Sequence, residues 1–364
     1  VGVNTGLSGD ASIHAFAASY GCADWWQFLA TIGVKVAILH AAAGTLIPLL
    51  VVALMTRFFG PQRSIRAGLE VWRFALFAAL AMTIPYVVVA FALGPEFPTL
   101  IGSLTGLAIV VPAARMGLFV PNRTCPWDFE PPRHWPADWC GTLQFQEEAV
   151  DRRTPSVVVA WLPYLLVALL LVATRLRSLP LAGLLKSCTL TGGDIFGTGI
   201  GRVVQPLYLP GPVFVVVAVI TLRLHRMEGA AFRRAFGRSA TTLVAASIAL
   251  IFAVPMVQVF IHSGGGAAGY HDMPIALAAG VEALAGRLWP LFAPVIGGIG
   301  AAVAGSNTIS NMMFSRFQFD VALRINVDPT WIVALQAVGG AAGNTICVHN
   351  VGAASAVVGM VGRE

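Results

Sequence analysis

Charged residues are scarce in this chain. Asp, Glu, Lys and Arg make up 11% of its 364 residues, whereas hydrophobic residues make up 57%, and the mean hydropathy is +0.78. Soluble domains contain about a quarter charged residues, so a chain this apolar could not cover its surface in water. The composition excludes an ordinary soluble protein and predicts a polytopic membrane protein whose surroundings are a lipid bilayer.

Motifs for catalysis, nucleotide binding and metal binding are also missing. The sequence has no Walker motif, no nucleophile elbow and no cluster with metal-ligand spacing, and its five cysteines are odd in number. The run Gly197-Thr198-Gly199-Ile200-Gly201 falls short of the dinucleotide fingerprint. The net charge of +6 does not indicate nucleic-acid binding, because the basic residues lie between apolar runs. We therefore predict no enzyme, cofactor, metal or nucleic-acid partner, and we disfavour an ATP-driven pump.

Long apolar runs dominate residues 28–262, which we interpret as a scaffold of membrane spans. A span needs about 20 residues to cross a hydrocarbon core of roughly 30 Å. Six runs meet this requirement approximately, at 28–55, 71–93, 99–114, 156–174, 207–222 and 240–261. With the segments that follow, the prediction is an all-α fold of about 7 to 9 membrane segments. We interpret residues 1–27 as an extracytoplasmic or interfacial segment.

The loops between these runs alternate in charge. Arginines concentrate in the loops at 57–70, 115–155 and 223–239. On the opposite side, the turn at Glu96 and the loop 262–272 contain no Lys or Arg, although residues 175–205 contribute four basic residues. Because cytoplasmic loops of membrane proteins carry an excess of basic residues, the first group is predicted to be cytoplasmic.

Residues 274–364 differ from a simple series of spans. We predict a re-entrant hairpin over 288–324 and a broken helix over 330–360, unwound at 339–344, because glycines and polar side chains interrupt both apolar segments. Such interruptions are tolerated at membrane depth only where protein buries them or where they line a wet cavity. Broken segments of this kind hold substrate and coupling ion in secondary transporters, so this region is the predicted transport site.

The predicted hairpin tip is Ser306-Asn307-Thr308. A helix that begins there aims free backbone N–H groups and its positive dipole end at the membrane interior, which suits a carboxylate. An ordinary N-cap is the alternative, since all three residue types are good caps, and the two interpretations are compatible.

A second wall of the site is predicted at the second interruption. Its candidate substrate-binding residues are Gly340, Gly343, Asn344 and Asn350, and Gly339 belongs to the same glycine group. These glycines permit either unwinding or close helix packing, and we favour unwinding because the three of them lie so close together.

Three residues are candidates for proton coupling. His349 is near the second interruption and has an imidazole that titrates near neutral pH, although a structural histidine is an equal alternative. Lys35 and His40 lie inside the first span, where ionisable groups are costly and often functional. Lys35 is near the end of the span, so its amine could instead extend to the interface. Arg316, Asp320 and Arg324 share one helix face and are expected to pair weakly.

The last third of the chain resembles the lactate permease family. The resemblance rests on Gly305-Ser306-Asn307-Thr308-Ile309-Ser310-Asn311, on Gln336-Ala337-Val338-Gly339-Gly340-Ala341-Ala342-Gly343-Asn344 and on Ile346-Cys347-Val348-His349-Asn350. It implies a bacterial plasma-membrane transporter that carries lactate, and often glycolate, inward with protons. The Ser-Asn-Thr tip also resembles hairpin tips of the wider ion-transporter superfamily, which includes sodium-coupled dicarboxylate carriers.

Two departures from the family pattern accompany the resemblance. Family members are longer, with an earlier half that has its own glycine-rich hairpin and with a further span after Glu364, so we expect this chain to be a fragment. If an inverted repeat forms the site, the chain then supplies only one of its walls. The second departure is Val348, where the family pattern leads us to expect proline.

The sequence and the resemblance together predict secondary transport of a 2-hydroxymonocarboxylate by proton symport. The alternative is a sodium-coupled carboxylate or dicarboxylate carrier. A membrane-embedded enzyme would need a paired acid and base or a metal cluster in the spans, and a sensor would need a soluble output domain. Neither feature is visible in the sequence.

Overall fold

The computed structural model describes residues 2–121, 131, 135–136, 156–176, 179–192, 202–264, 266–347, 350–352, 354–355 and 360. The described elements are helices, apart from one short antiparallel pair of strands, β1 (Leu190–Gly192) and β2 (Arg202–Val204). The helices are α1 (Gly2–Leu7), α2 (Ala11–Ser19), α3 (Trp25–Gly44), α4 (Ile47–Phe58), α5 (Ile65–Leu69), α6 (Trp72–Leu93), α7 (Pro98–Met116), α8 (Val157–Arg175), α9 (Leu181–Ser187), α10 (Pro210–Leu224), α11 (Gly229–Ile261), α12 (Met273–Ala285), α13 (Trp289–Ala304), α14 (Asn307–Arg324) and α15 (Pro329–Asn344).

Five helical stretches in the described part are long and apolar enough to cross a membrane. They are Trp25–Phe58, Trp72–Leu93, Pro98–Met116, Val157–Arg175 and Ile275–Ala304. Their large apolar side chains are widely exposed, as lipid-facing surfaces require. The predicted all-α polytopic membrane class is confirmed.

The first predicted span consists of two helices. α3 ends at Gly44 and α4 begins at Ile47, with Pro48 in its first turn. Proline has no backbone N–H and is favoured in the first turn of a helix, so Pro48 suits the start of a new helix at this position. A second boundary also differs from the prediction, because α11 begins at Gly229 inside the predicted loop 223–239.

The chain divides into two compact units. The smaller unit comprises Gln146–Ile248. In it α8 packs against α10, and Arg175 at the end of α8 donates a hydrogen bond from Nη2 to the carbonyl oxygen of Tyr208 at 2.7 Å. The guanidinium also lies 3.9 Å from the centroid of the Tyr208 ring, a cation–π contact.

The larger unit comprises Val1–Phe145 and Ala249–Glu364, and α14 is its central helix. α14 packs against α1, α12, α13 and α15. Its apolar residues enter two buried clusters. Phe317 and Val321 pack with Trp289 and Ile332, and Phe319 packs with residues from α1, α2, α3 and α15.

α13 and α14 occupy the region predicted as a hairpin, 288–324, and only Gly305 and Ser306 separate them. Gly305 ends α13 in the left-handed region at φ +67°, which glycine adopts without steric cost. Ser306 is extended and caps α14, because its Oγ accepts a hydrogen bond from Ile309 N at 3.4 Å. The chain therefore reverses into a new helix at the residues predicted as the tip.

The unwinding predicted at 339–344 is wrong. α15 runs as a helix through Gly339, Gly340 and Gly343 to Asn344, and the helix is interrupted only after that residue, at 345–347. The physical reason is the close packing of α15 against α13 and α14. The three glycines are buried, and they allow α15 to contact α13 and α14 closely, which was the alternative interpretation of the same residues.

Candidate functional site

The start of α14 lies against the middle of α15. A Cβ added at Gly340 would overlap Oδ1 of Asn307, so the absence of a side chain at Gly340 makes room for this amide. Asn307 Oδ1 also accepts a hydrogen bond from Asn311 Nδ2 at 2.9 Å, one turn further along α14. Two of the predicted site residues, Asn307 and Gly340, are therefore in direct contact. Thr308 is exposed at the same helix end.

The glycines hold α13 and α15 in backbone contact. A Cβ at Gly339 would overlap the carbonyl of Pro294, and a Cβ at Gly343 would overlap the carbonyl of Gly298. Backbones approach this closely only where small residues face each other. Gly343 therefore fixes the position of the wall rather than facing a cavity.

The end of α15 forms the other side of the site. Asn344 lies one turn, about 6 Å, beyond Gly340 along the helix axis. Its carbonyl oxygen accepts a hydrogen bond from Asn350 Nδ2 at 2.6 Å, and its side chain accepts one from the Cys347 thiol at 3.7 Å. The positive start of α14 and the negative end of α15 thus lie close together. This pairing of helix ends suits an anion beside a cation.

A chain of buried hydrogen bonds links α13, α14 and α15. Trp289 Nε1 donates to Gln318 Oε1 at 2.6 Å, and Gln318 Nε2 donates to Gln336 Oε1 at 3.0 Å. Gln336 Nε2 donates to Ser310 Oγ at 3.1 Å, and that hydroxyl donates to the carbonyl oxygen of Gly297 at 2.9 Å. Both glutamines and Ser310 are fully buried. A satisfied network of this kind fixes one arrangement of the three helices.

Two further polar side chains of α14 face α1. A Cβ at Gly2 would come within 2.9 Å of the Asn311 side chain, and a Cβ at Gly6 would come within 3.3 Å of the Ser315 side chain. Oδ1 of Asn311 and Oγ of Ser315 are buried and make no hydrogen bond within the described part of the chain. α1 therefore covers a polar strip that continues from the start of α14.

Lys35 lies at the far end of α15 from Gly340. Its ammonium donates to Asp328 Oδ2 at 2.5 Å and also to Thr330 Oγ1, and it lies 5.0 Å from the centroid of the Trp331 ring. Thr330 is about 15 Å from Gly340 along the helix axis. The structure therefore places this proton-coupling candidate at the N-cap of α15, away from Asn307.

The second candidate, His40, belongs to α3 and its side chain faces α6. One ring nitrogen, Nδ1, is 3.0 Å from the hydroxyl oxygen of Tyr86. The third candidate, His349, lies outside the described residues. The two described candidates therefore have different partners, Lys35 at the start of α15 and His40 at Tyr86.

The pair between Lys35 and Asp328 leads to a prediction about pH. Burial raises the pKa of Asp328, but hydrogen bonds from Lys35, Thr330 and Tyr20 outweigh this effect and hold that pKa below its ordinary value. An aspartate with a lowered pKa stabilises the fold above its unfolded pKa of about 4, and this contribution is lost as the pH falls through the folded pKa. We expect Asp328→Asn to destabilise the protein by roughly 1 kcal/mol at pH 7.

Thermal unfolding of the purified full-length protein across pH checks this expectation. The difference between Asp328→Asn and the parent should be constant above about pH 5 and should shrink below about pH 4. A difference that grows towards acid pH would contradict the assignment. Lys35→Met should show the same pH dependence, because it removes the main partner of Asp328.

Sequence reasoning missed the partners of Arg316. Its guanidinium lies 2.9 Å from Asp10 Oδ2 and 3.4 Å from Asp272 Oδ2, and its Nε is 4.0 Å from Asp320 Oδ2. Only the contact with Asp320 follows from helical spacing. Asp10 and Asp272 are remote in the sequence, so no local pattern indicates them. Gln318 and Gln336 were also missed, although an amide within a buried helical segment is itself a signal.

Comparisons with known proteins identify the family of the chain. A family model described as L-lactate permease matches residues 17–364. The chain belongs to the L-lactate permease family. It is 27% identical over 354 residues to a putative L-lactate permease of Haemophilus influenzae, covering 92% of this chain and 60% of that protein. It is 23% identical over 339 residues to the L-lactate permease of Bacillus subtilis, covering 87% of this chain and 58% of that protein.

A glycolate permease of Escherichia coli is 32% identical over 160 residues, covering 44% of this chain and 27% of that protein. The chain thus spans at most about 60% of the length of these L-lactate permease relatives. No solved structure matches it. Family membership and the five apolar helices identify the chain as part of a multi-pass protein of the bacterial plasma membrane.

Proposed function

We propose that the protein containing this chain is a secondary transporter that moves lactate, or a related 2-hydroxymonocarboxylate such as glycolate, across the bacterial plasma membrane with protons. The observation that carries the proposal is the contact between Asn307 at the start of α14 and Gly340 in α15, within a chain of the L-lactate permease family. Free N–H groups and the helix dipole at this position suit a carboxylate.

Each part of the site has a role in this proposal. Ser306 shapes the start of α14, and Asn307 and Thr308 present an amide and a hydroxyl to the substrate. Gly340, with Gly343 beside it, keeps α15 close enough to form the second wall. Asn344 and Asn350 end that wall with carbonyl and amide groups that suit the 2-hydroxyl of the substrate.

Proton symport makes inward transport of the anion energetically feasible. Moving one elementary charge against 100 mV costs about 2.3 kcal/mol, and a co-transported proton cancels the charge of lactate. His349, His40 and Lys35 are the candidates that the sequence offers for carrying that proton. The proposed small-molecule partners are thus a carboxylate and a proton, with the lipid bilayer as surroundings.

A sodium-coupled carrier is the second candidate, and the end of α15 is the observation that favours it. Carbonyl oxygens at a helix C-terminus carry partial negative charge and coordinate Na⁺ in other transporters. The turn at 345–347 and Asn344 present such oxygens beside the start of α14.

Uptake of radiolabelled L-lactate by cells that produce the full-length protein distinguishes the two candidates. We expect uptake to collapse when a proton uncoupler is added and to be indifferent to replacement of sodium by potassium. Uptake that resists the uncoupler and requires sodium would favour the second candidate. Cells with the empty vector are the control, and glycolate as competitor tests the range of substrates. Absence of lactate uptake under every gradient would refute the proposed substrate.

A further inference from the structure

The cluster around Arg316 has one more negative than positive charge. Arg316 faces Asp10 from the α1–α2 turn, Asp272 from the residue before α12, and Asp320 from its own helix. Arg324 lies one turn beyond Asp320 on α14 and is exposed. Two guanidinium groups against three carboxylates leave one negative charge, which is the charge that one bound proton removes.

The helices packed on α14 contribute few other ionisable groups. By sequence, α1, α13 and α15 contain none, and α12 contains one, Glu282, whose side chain lies outside the described residues. Asp328, at the start of α15, is paired with Lys35 instead. His271, beside Asp272, is exposed. Among the described buried or half-buried side chains around Arg316, the charged groups are the three aspartates, and Arg324 adds a second positive charge at the exposed edge.

Two of the three aspartates accept hydrogen bonds from backbone or side-chain donors as well as facing Arg316. Asp10 accepts hydrogen bonds from Ser12 N at 2.8 Å and Ser12 Oγ at 2.7 Å in addition to its ion pair with Arg316. Burial raises the pKa of Asp10, but these hydrogen bonds and the guanidinium outweigh it and hold the pKa below its ordinary value. Asp272 accepts from Gly264 N at 2.7 Å and also faces Arg316.

Asp320 is the exception. Its Oδ2 is buried and has no hydrogen-bond partner within the described part of the chain, and Arg316 Nε, at 4.0 Å, is likewise without one. Burial of a carboxylate oxygen without a donor, next to two other carboxylates, favours the protonated form of Asp320. A proton added to the cluster therefore goes to Asp320.

We propose that Asp320 is the group that binds the coupled proton, and that the ion pairs of Arg316 with Asp10 and Asp272 connect its protonation to the position of α14. This inference rests on the proposed function, because it assigns a residue to its proton step. The proton enters from water, adds to the carboxylate to give the neutral acid, and leaves on the other side. Lactate itself is not chemically changed.

The geometry explains how a proton at Asp320 can affect substrate about 20 Å away along the helix, at Asn307. Both residues belong to α14, so the two events act on one helix. With Asp320 ionised, the excess charge destabilises the contact between α14 and the segments that carry Asp10 and Asp272. Protonation of Asp320 removes the excess negative charge, so α14 packs more stably against these segments. A proton and a substrate that favour the same position of α14 bind cooperatively.

Two transport assays on the full-length protein in proteoliposomes test this inference. Exchange of labelled lactate against unlabelled lactate involves no net proton movement, whereas accumulation against a gradient requires the proton. We expect Asp320→Asn to retain exchange and to lose pH-driven accumulation by at least about tenfold. Asp320→Glu keeps an ionisable group and should restore accumulation. Asp24→Asn is the matched control, because asparagine caps α3 as well as the native aspartate does.

The outcomes separate this inference from the proposed function. Full accumulation by Asp320→Asn would refute the role of Asp320 and leave lactate symport standing. Loss of both activities in the Asn and Glu variants would also refute it, since the residue would then be needed for transport or folding as such. A parent protein that accumulates lactate equally well with and without a pH gradient would refute the symport, one that does not transport lactate would refute the substrate, and this inference would fail in both cases.

Discussion

Replacing Asn307 by alanine is expected to lower lactate uptake by the full-length protein by roughly 10- to 100-fold, the effect of losing one hydrogen bond to a charged group. The side chain stands at the start of α14, where free N–H groups and the amide face the proposed substrate position beside Gly340. Removing it leaves Asn311 without the acceptor for its Nδ2 group, but the cap at Ser306 and the contact of α13 with α15 remain.

Asn307→Asp separates binding from folding. The aspartate keeps the size of asparagine and still accepts a hydrogen bond from Asn311, and a negative charge in the first turn of a helix is stabilising. It would nevertheless repel a carboxylate. We expect a protein with unchanged thermal stability and abolished uptake, whereas Thr221→Ala in α10 should leave both unchanged, because that hydroxyl bonds only to its own helix, at Val217. Normal uptake by the Asn307→Asp variant would show that the substrate does not bind at this helix end.

Alanine at Gly339 or Gly343 is expected to destabilise the protein by about 1–3 kcal/mol for each substitution, the cost of overpacking a tight contact. The added methyl groups would overlap the backbone carbonyls of Pro294 and Gly298, which have no side-chain freedom to move aside. α13 and α15 would have to separate, and the buried hydrogen bonds between Gln336 and its partners would lengthen.

Thermal unfolding in detergent measures this effect, with the remaining folded protein quantified by size-exclusion chromatography after each heating step. Gly280→Ala in α12 is the matched control, since nothing lies within 4 Å of a Cβ at that position. It should be neutral or more stable by up to about 1 kcal/mol, because alanine favours a helix over glycine. If Gly343→Ala unfolds at the temperature of the parent, the two helices are further apart than the structure indicates.

Local patterns predicted much of this fold. Apolar runs of sufficient length became helices, and the cap formers at Ser306 marked the start of α14 correctly. The glycines of α15 could not be assigned in the same way, because glycine permits both an unwound backbone and a close contact. The glycines make a close contact because they pack against Pro294 and Gly298, which lie on another helix and cannot be inferred from the local sequence.

The partners of the charged groups were even harder to predict from local sequence patterns. The spacing of Arg316 and Asp320 predicted a weak pair on one helix, and that contact is present at 4.0 Å. Asp10 and Asp272 reach Arg316 through the tertiary fold, so no pattern in a single sequence window could indicate them. The residues of the hairpin tip were found from sequence, but the ion cluster was not.

The polarity of α14 has a consequence for how the protein enters the membrane. This helix is absent from the apolar stretches found in the described residues, and it carries Gln318 as well as Arg316 and Asp320. A charged residue at the centre of a lone helix costs about 2.5–3.5 kcal/mol during insertion. Among the described residues, Gln318 bonds to Trp289 and Ala293 on α13 and to Gln336 on α15. We therefore expect α14 to be retained beside α13 during synthesis until α15 has emerged, so that the three helices enter the lipid together.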